Sequence, residues 1–378
     1  MILYFLPLFI CFISFGIPRL RASTAWYCFF LIYICVFLCF GYMCGSDWRA
    51  YEPMYEDLDY TDPFSTYFLE PGYGIWMCLF KSLGISFWPY FITTKILMFA
   101  IIANIITKYA SDYKYLAWMF FIYSSGYFLF IDNPARNLMA IGVFLLSVNA
   151  LINRSFIKYL IYMLVAMSFH ITAIIMLPLY FILNGRMDTR YWVIIILISW
   201  ILFINPNIMT DSLSLMTGVS PYVANKFSFY FESENDDAGG NLFSFGMLIN
   251  LVFCILALLY RNKIEECKNG KIVFNSAMLF FILYRIGSTI FLFYRFQLYV
   301  WVFYAIAIAY LCTAFTLRCR KLYLFALFSL SLLVTSQLKY IPKFVPYTNY
   351  LEYVIKGEYP SYSYRSDYNY RNNITPNP

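Results

Sequence analysis

Apolar runs of about 20 residues, parted by short polar turns, recur from one end of the chain to the other. In a bilayer only helices and closed barrels satisfy every backbone polar group, and the ten-residue alternation of a barrel strand is not visible. The pattern therefore predicts an all-α, polytopic integral membrane protein. Spans are expected over 2–17, 25–44, 87–107, 115–131, 138–152, 157–169, 171–183, 191–204, 242–260, 272–293, 296–317 and 322–338, about twelve in all. The stretch 72–85 is too polar and short to span and reads as an interfacial or re-entrant helix. The spans over 138–152, 157–169 and 171–183 are short enough to thin the bilayer or to end in a water-filled cavity. Long polar loops cover 45–71 and 205–241, and a polar, tyrosine-rich tail follows Lys339. Residues 1–378 form one multi-spanning domain without a repeat of fixed period.

Composition agrees with that pattern. The chain is 62% hydrophobic and 12% charged, with mean hydropathy +0.66, whereas a soluble domain carries about 25% charged residues. The opening MILYFLPLF lacks a basic n-region and a small-residue cleavage site, so it reads as a retained first span. Ten cysteines form no C-x-x-C pair and there is one histidine, so no zinc-like ligand set is offered and no metal or other cofactor is expected.

Charge orients the spans. Arg19 and Arg21 follow span 1, Lys108 and Lys114 span 3, Arg154 and Lys158 span 5, and Arg186 and Arg190 span 7. Arg261, Lys263, Lys268 and Lys271 follow span 9, and Arg318, Arg320 and Lys321 span 11. These turns hold more than half of the 27 basic residues but only Asp112, Asp188, Glu265 and Glu266 of the 20 acidic ones. Basic turns stay in the cytoplasm, so both termini, both long loops and the tail 339–378 are expected outside. The net charge of +7 then reflects topology and implies no nucleic-acid partner.

The organising stretch is 132–180. Asp132-Asn133-Pro134-Ala135-Arg136 stands at the head of an apolar helix, and the chain returns through a second helix to His170, the only histidine. Arg136 and His170 are expected on one side of the membrane at similar depth. Ionisable groups there are expensive and usually functional. Arg285 lies inside span 10 and is expected to face the bundle interior, and Arg295 lies near its outer end. Three arginines near one outward cavity suit an anionic ligand, because guanidinium grips phosphate oxygens in a bidentate fork. Local pairing is the alternative: Arg136 with Asp132, and Arg295 with lipid phosphate. His170 reads either as a satisfied helix-turn histidine or as a proton-transfer or ligand group. Asp57-Leu58-Asp59 has the D-x-D form of metal-dependent glycosyltransferases but is expected outside, where nucleotide sugars are absent. Asp57, Asp59 and Asp62 do not make an EF-hand loop, since the required Gly and Glu are missing.

The succession of short motifs resembles the EpsG-type branch of the Wzy-like polysaccharide polymerases. The matching elements are G-S-D-W-x-x-Y at Gly45–Tyr51, E-P-G-Y at Glu70–Tyr73 and A-R-N-x-x-A at Ala135–Ala140. A-M-S-F-H at Ala166–His170, an Arg before an aromatic span at Arg295 and a P-Y-x-N-Y tail at Pro346–Tyr350 follow in order. Two positions depart from the family: Gly41-Tyr42-Met43-Cys44 lacks the arginine often found before G-x-D, and Arg136-Asn137 replaces the usual R-Q. The contact of the missing arginine is in doubt, with Arg285 as a candidate replacement.

The resemblance implies polymerisation of a bacterial surface glycan at the outer face of the inner membrane. The growing chain would pass from undecaprenyl pyrophosphate to a hydroxyl of the next lipid-linked unit, without nucleotide or obligatory metal. The implied partners are the undecaprenyl-pyrophosphate-linked oligosaccharide, the bilayer, and a flippase and chain-length regulator of the same pathway. Arginines would stabilise the departing pyrophosphate and a base would deprotonate the acceptor. His170 is the first candidate base and Asp47 the second, with Arg136 at the reacting phosphate. Arg136, Arg285, Arg295, Glu70, Tyr51 and Asp132 are the expected ligand contacts, with Asp132 orienting Arg136. A flippase or transporter, a non-catalytic scaffold of a glycan-assembly complex and a membrane O-acetyltransferase are the alternatives. A transporter should show repeats and mid-membrane helix breaks, whereas the polar residues here crowd to one face.

Overall fold

The computed structural model describes residues 1–61, 70–202, 244–288 and 291–371. The second long loop, 205–241, and Asp62 lie outside the described residues. Helix follows helix from the first residues: α1 (Ile2–Gly16), α2 (Pro18–Ala22), α3 (Thr24–Cys39), α4 (Trp48–Glu56), α5 (Pro71–Ser82) and α6 (Phe87–Ala110). Then come α7 (Lys114–Phe121), α8 (Ala135–Ile152), α9 (Phe156–Phe169), α10 (Met176–Leu183), α11 (Thr189–Leu202), α12 (Phe245–Leu259) and α13 (Arg261–Glu265). The chain ends with α14 (Gly270–Gly287), α15 (Phe291–Gln297), α16 (Trp301–Tyr310), α17 (Leu317–Ser336), α18 (Tyr350–Lys356) and α19 (Tyr362–Arg371). One antiparallel ribbon, β1 (Gly41–Tyr42) against β2 (Thr348–Asn349), ties the exit of α3 to the tail.

Tyr115–Phe121 of α7 and every residue of α16 are buried, and these two helices form the centre of the bundle. Outer helices show the opposite pattern. Ile157, Ile161 and Leu164 of α9, Ile194 and Leu197 of α11, and Phe325 and Leu333 of α17 are exposed. Contiguous apolar faces of that size are unfavourable in water and are accommodated by lipid tails.

Among the described residues four helical stretches are long and apolar enough to cross a membrane: Phe87–Gly126, Ala135–Ile152, Gly270–Gly287 and Leu317–Tyr340. That of Ala135–Ile152 includes 138–152, which is therefore not one of the short spans. Shorter apolar helices, such as Phe156–Phe169 and Ile171–Leu183, lie between them. Phe87–Gly126 is two helices, because Ser111 takes a positive φ of 49° and ends α6. The expected continuous span 272–293 is also broken. The chain folds back at Gly287, where a Cβ would meet the Tyr294 backbone nitrogen at 2.9 Å, so α15 is a separate short helix. The expected turn after span 11 is absorbed as well, since Arg318, Arg320 and Lys321 lie within α17.

The basic turns meet at one end of the bundle. Lys108 donates to Asn149, Arg154 to the Asn184 carbonyl, Arg261 to the Met187 carbonyl, and the Tyr310 hydroxyl to the Lys268 carbonyl. These bonds link the ends of α6, α8 and α16 and the segments that follow α8, α10 and α12. The other end carries β1, α4, the heads of α5 and α8, His170 and the folded tail.

Candidate functional site

Glycine builds the floor of the site. Gly45 has φ +84°, and a Cβ there would stand 2.0 Å from the Ile131 carbonyl oxygen. Its N–H donates to the Lys343 carbonyl at 2.6 Å. Only glycine tolerates both the left-handed backbone and the close approach. The next residues, Ser46 and Asp47, are thereby laid against the end of the α7 rod, which continues past Phe121 as π-helical turns to Asp132. Such turns are frequent at functional sites.

Gly72 plays the second such part. A Cβ there would lie 2.2 Å from the Ser168 hydroxyl oxygen, so α5 can approach the end of α9 this closely only with glycine. Pro71 starts α5 with a fixed φ suited to a first helical turn. The result sets Glu70 beside His170, which interrupts the helical run between α9 and the following 3-10 turn with an extended backbone.

Glu70 joins the two residues that the sequence placed at one depth. Its Oε2 accepts from Arg136 Nη1 at 2.6 Å, and its Oε1 lies 2.7 Å from His170 Nδ1. Arg136 Nε also donates to the Tyr51 hydroxyl at 3.2 Å. Glu70 is 2% exposed, against 38% for the Arg136 side chain. Burial opposes ionisation of Glu70, but His170 and Arg136 outweigh it and hold the carboxyl at about 2. Burial pushes His170 below the usual histidine value; the hydrogen bond and charge of Glu70 oppose this, and Arg136 and Arg295 reinforce it. A neutral imidazole beside an ionised carboxylate must donate through Nδ1. That leaves Nε2 as the acceptor, and Nε2 is buried without a partner among the described residues.

A cavity of about 300 Å³ opens against this chain of side chains. Asp47, Tyr51, Arg136, Asn137, His170 and Arg295 line it, together with Ser46, Ala50, Met54 and Pro134. Asp47 is raised to about 6 by burial first and by the charge of Asp132 second, with Arg295 and Arg136 pulling the other way. Among the described residues no group of His, Cys, Asp and Glu is arranged to hold a metal ion.

Three expectations need correction. Asp132 does not orient Arg136 or line the cavity. Its carboxylate accepts from the Ser46 N–H at 2.8 Å, the Ser46 hydroxyl at 2.6 Å and Lys343 at 2.6 Å. Asn133, in the left-handed region at φ 60°, and Pro134 turn the chain between the two residues, so Asp132 and Arg136 meet different neighbours. Glu70 is a bridge behind the cavity, not one of its lining residues. Arg285 faces the interior as expected, being 2% exposed, but it does not line the cavity; its Nη1 donates to Ser288 at the end of α14.

Asn137 was passed over except as a departure from R-Q. It is buried, lines the cavity, and its Nδ2 lacks a partner among the described residues. Its position beside Arg136 in the first turn of α8 was the available signal. Lys343 was also missed, because its partner Asp132 is remote in sequence. The D-x-D element has a local account: Asp59 accepts from the backbone and hydroxyl of Thr61.

The apolar helices and the polar cavity at one end of the bundle define a helical membrane protein with a single-ended polar site. The chain belongs to the EpsG family, whose model matches residues 24–353. It is thus a membrane protein of polysaccharide biosynthesis, in a family associated with a glycosyltransferase-like polymerase role. No curated protein and no solved structure matches the chain. Every residue lining the cavity falls inside the matched segment.

Proposed function

We propose that the protein is a multi-pass polymerase of the bacterial inner membrane that transfers a glycan from undecaprenyl pyrophosphate to a lipid-linked repeat unit at the outer face. The observation that carries this reading is the Arg136–Glu70–His170 chain, with the unpartnered His170 Nε2 at a polar cavity. In this reading the acceptor hydroxyl attacks the anomeric carbon of the donor glycan. The new C–O bond forms as the bond from that carbon to the pyrophosphate oxygen breaks. The hydroxyl proton passes to His170 Nε2, while Glu70 holds the imidazole in the receptive tautomer and stabilises the imidazolium. The pyrophosphate leaves with the bonding electrons, toward Arg136 and Arg295.

The charges support that division of roles. Glu70 engages one nitrogen of Arg136 and Tyr51 another, while Nη2 has no partner among the described residues. Asn137 supplies an amide donor at the same wall. Asp47 is the second candidate base; at about 6 it is largely ionised at neutral pH. Nucleotide and metal have no part in these steps, because the donor arrives activated. The carrier-linked glycan and the bilayer are the immediate partners, and a flippase and a chain-length regulator fit as neighbours in the pathway.

The glycan profile of a strain lacking the gene tests the assignment. Lipid-linked single repeat units should accumulate at the outer face while polymer is lost. Loss of every outer-face intermediate would point to a flippase and contradict the polymerase reading.

A further inference from the structure

A second cleft of about 300 Å³ lies on the other side of α4. Asp47, Ala50, Tyr51 and Met54 border the first cavity, whereas Glu52 and Glu56, one helical turn apart, border the second. α4 is thus a partition with a polar site on each side.

The walls of the second cleft are aromatic, and an ion pair fixes two of its polar groups. Trp88 and Tyr350 are nearly parallel, with ring planes 18° apart and centroids 6.1 Å apart. Tyr42 meets Trp88 edge-on at 4.5 Å, and Tyr359 follows Tyr350 at 6.0 Å. Arg365 Nη1 binds Glu52 Oε2 at 2.7 Å, and both side chains are about nine-tenths buried. The guanidinium also lies over the rings of Tyr42 and Trp88, 5.8 Å from each centroid. Glu56 is exposed at the rim, and its carboxylate has no hydrogen-bond partner among the described residues.

The half-buried Tyr350 ring and the exposed Tyr359 ring, beside one fixed and one free carboxylate, match a sugar ring, which presents C–H faces for stacking and a rim of hydroxyl donors. An anion is disfavoured, since two carboxylates outnumber a guanidinium already committed to Glu52. A purely structural clasp of α19 onto α4 would need the Arg365–Glu52 pair but neither an open cleft nor a free carboxylate. The volume is at the lower end of the ~300–1,000 Å³ of small-ligand sites, enough for a short stretch of glycan. Tyr359 and Arg365 also lie beyond the family match, which ends at residue 353.

We propose that this cleft is a carbohydrate-binding subsite that holds sugar residues of the growing glycan away from its reacting end. The proposal rests on the polymerase reading for its purpose, though not for its binding chemistry. A glycan held across α4 stays with the enzyme between additions, so the cleft lengthens the product.

The test uses full-length protein in lipid nanodiscs and the cell's own surface glycan, released from its carrier by mild acid. Titration calorimetry should detect binding to the wild type, weakened about fivefold or more in a Glu56→Gln/Tyr359→Ala double variant. Both side chains are exposed, so the variant should reach normal abundance. In cells the double variant should give a ladder shifted to shorter polymer, while Glu352→Gln, outside the cleft, keeps the wild-type ladder. Equal affinity and equal ladder length in the double variant would overturn the proposal. Absence of polymer from the wild-type chain would defeat the polymerase reading instead, and the titration, which needs no turnover, would still decide the cleft.

Discussion

At the scale of single residues, the proposed mechanism turns on the position of one proton. In it Glu70 holds that proton on His170 Nδ1, leaving Nε2 to take the acceptor proton. His170→Gln keeps a hydrogen-bonding group but cannot carry the proton away, and polymer formation should fall by ~10²–10⁴-fold with substrate still bound. Glu70→Gln should be nearly as damaging at normal abundance, because an amide can donate to Nδ1 and favour the wrong tautomer. Rates in isolated membranes, with abundance checked by immunoblot, decide both. Wild-type turnover in either variant would remove the dyad from the mechanism.

The pH profile separates the two candidate bases. A base must be unprotonated before attack, so activity should fall as pH drops through its folded pKa. For His170 that limb lies below the ordinary value of ~6.5, because burial and the neighbouring guanidinium groups disfavour the imidazolium. Asp47, at about 6, titrates in the same region, whereas Glu70, at about 2, stays ionised throughout. An acidic limb that persists in Asp47→Asn belongs to His170, and one that vanishes there belongs to Asp47. Arg136→Lys keeps the charge and loses the planar fork, so it should nearly abolish polymer in a normally inserted protein. Full activity would reduce Arg136 to a point charge.

At the scale of elements, two glycines set the geometry. Gly45 lets the loop before α4 lie on the end of the α7 rod, and Gly72 lets α5 reach α9. Gly72→Ala must push α5 away from Ser168 and with it Glu70 from His170. It should therefore lower activity by more than it lowers abundance, while Gly16→Ala, where a Cβ meets nothing within 4 Å, should keep the Glu70–His170 contact. Equal activity of Gly72→Ala and wild type would show that the close approach is dispensable.

Much of this site was legible in the sequence, for identifiable reasons. Arg136 and His170 stand one helix down and one helix back, and that spacing alone brought them to one level. Glu70 was legible as a motif member, but its buried, bridging position was not, since the contact depends on how α5 docks. Asp132 misled because nearness in sequence suggested a pair, while the left-handed Asn133 and Pro134 turn the chain between them. Arg285 was rightly placed inside the bundle and wrongly grouped with the cavity, because the break at Gly287 was not legible from hydropathy. Nothing in the periodicity of the tail indicated that it would fold over α4, since Arg365–Glu52 is a contact between distant segments.

At the scale of the whole molecule, the packing puts the basic turns at one end and the polar cavity at the other. In the proposed orientation, which follows the positive-inside rule, the cavity opens at the outer face. In a background free of native cysteines, an impermeant thiol reagent applied to intact cells should label Glu358→Cys in the tail and leave Lys268→Cys unlabelled. The reverse pattern would invert the protein, and with it the face on which any glycan is joined.

The central claim is that this chain by itself joins lipid-linked units. The most direct measurement is reconstitution of the purified protein in liposomes with lipid-pyrophosphate-linked repeat units, without nucleotide sugar or added metal, followed by separation of the products. The account predicts a ladder of polymer with matching release of undecaprenyl pyrophosphate, and neither product from His170→Gln. Recovery of the single units unchanged with the wild-type chain, or an equal ladder from His170→Gln, would contradict it.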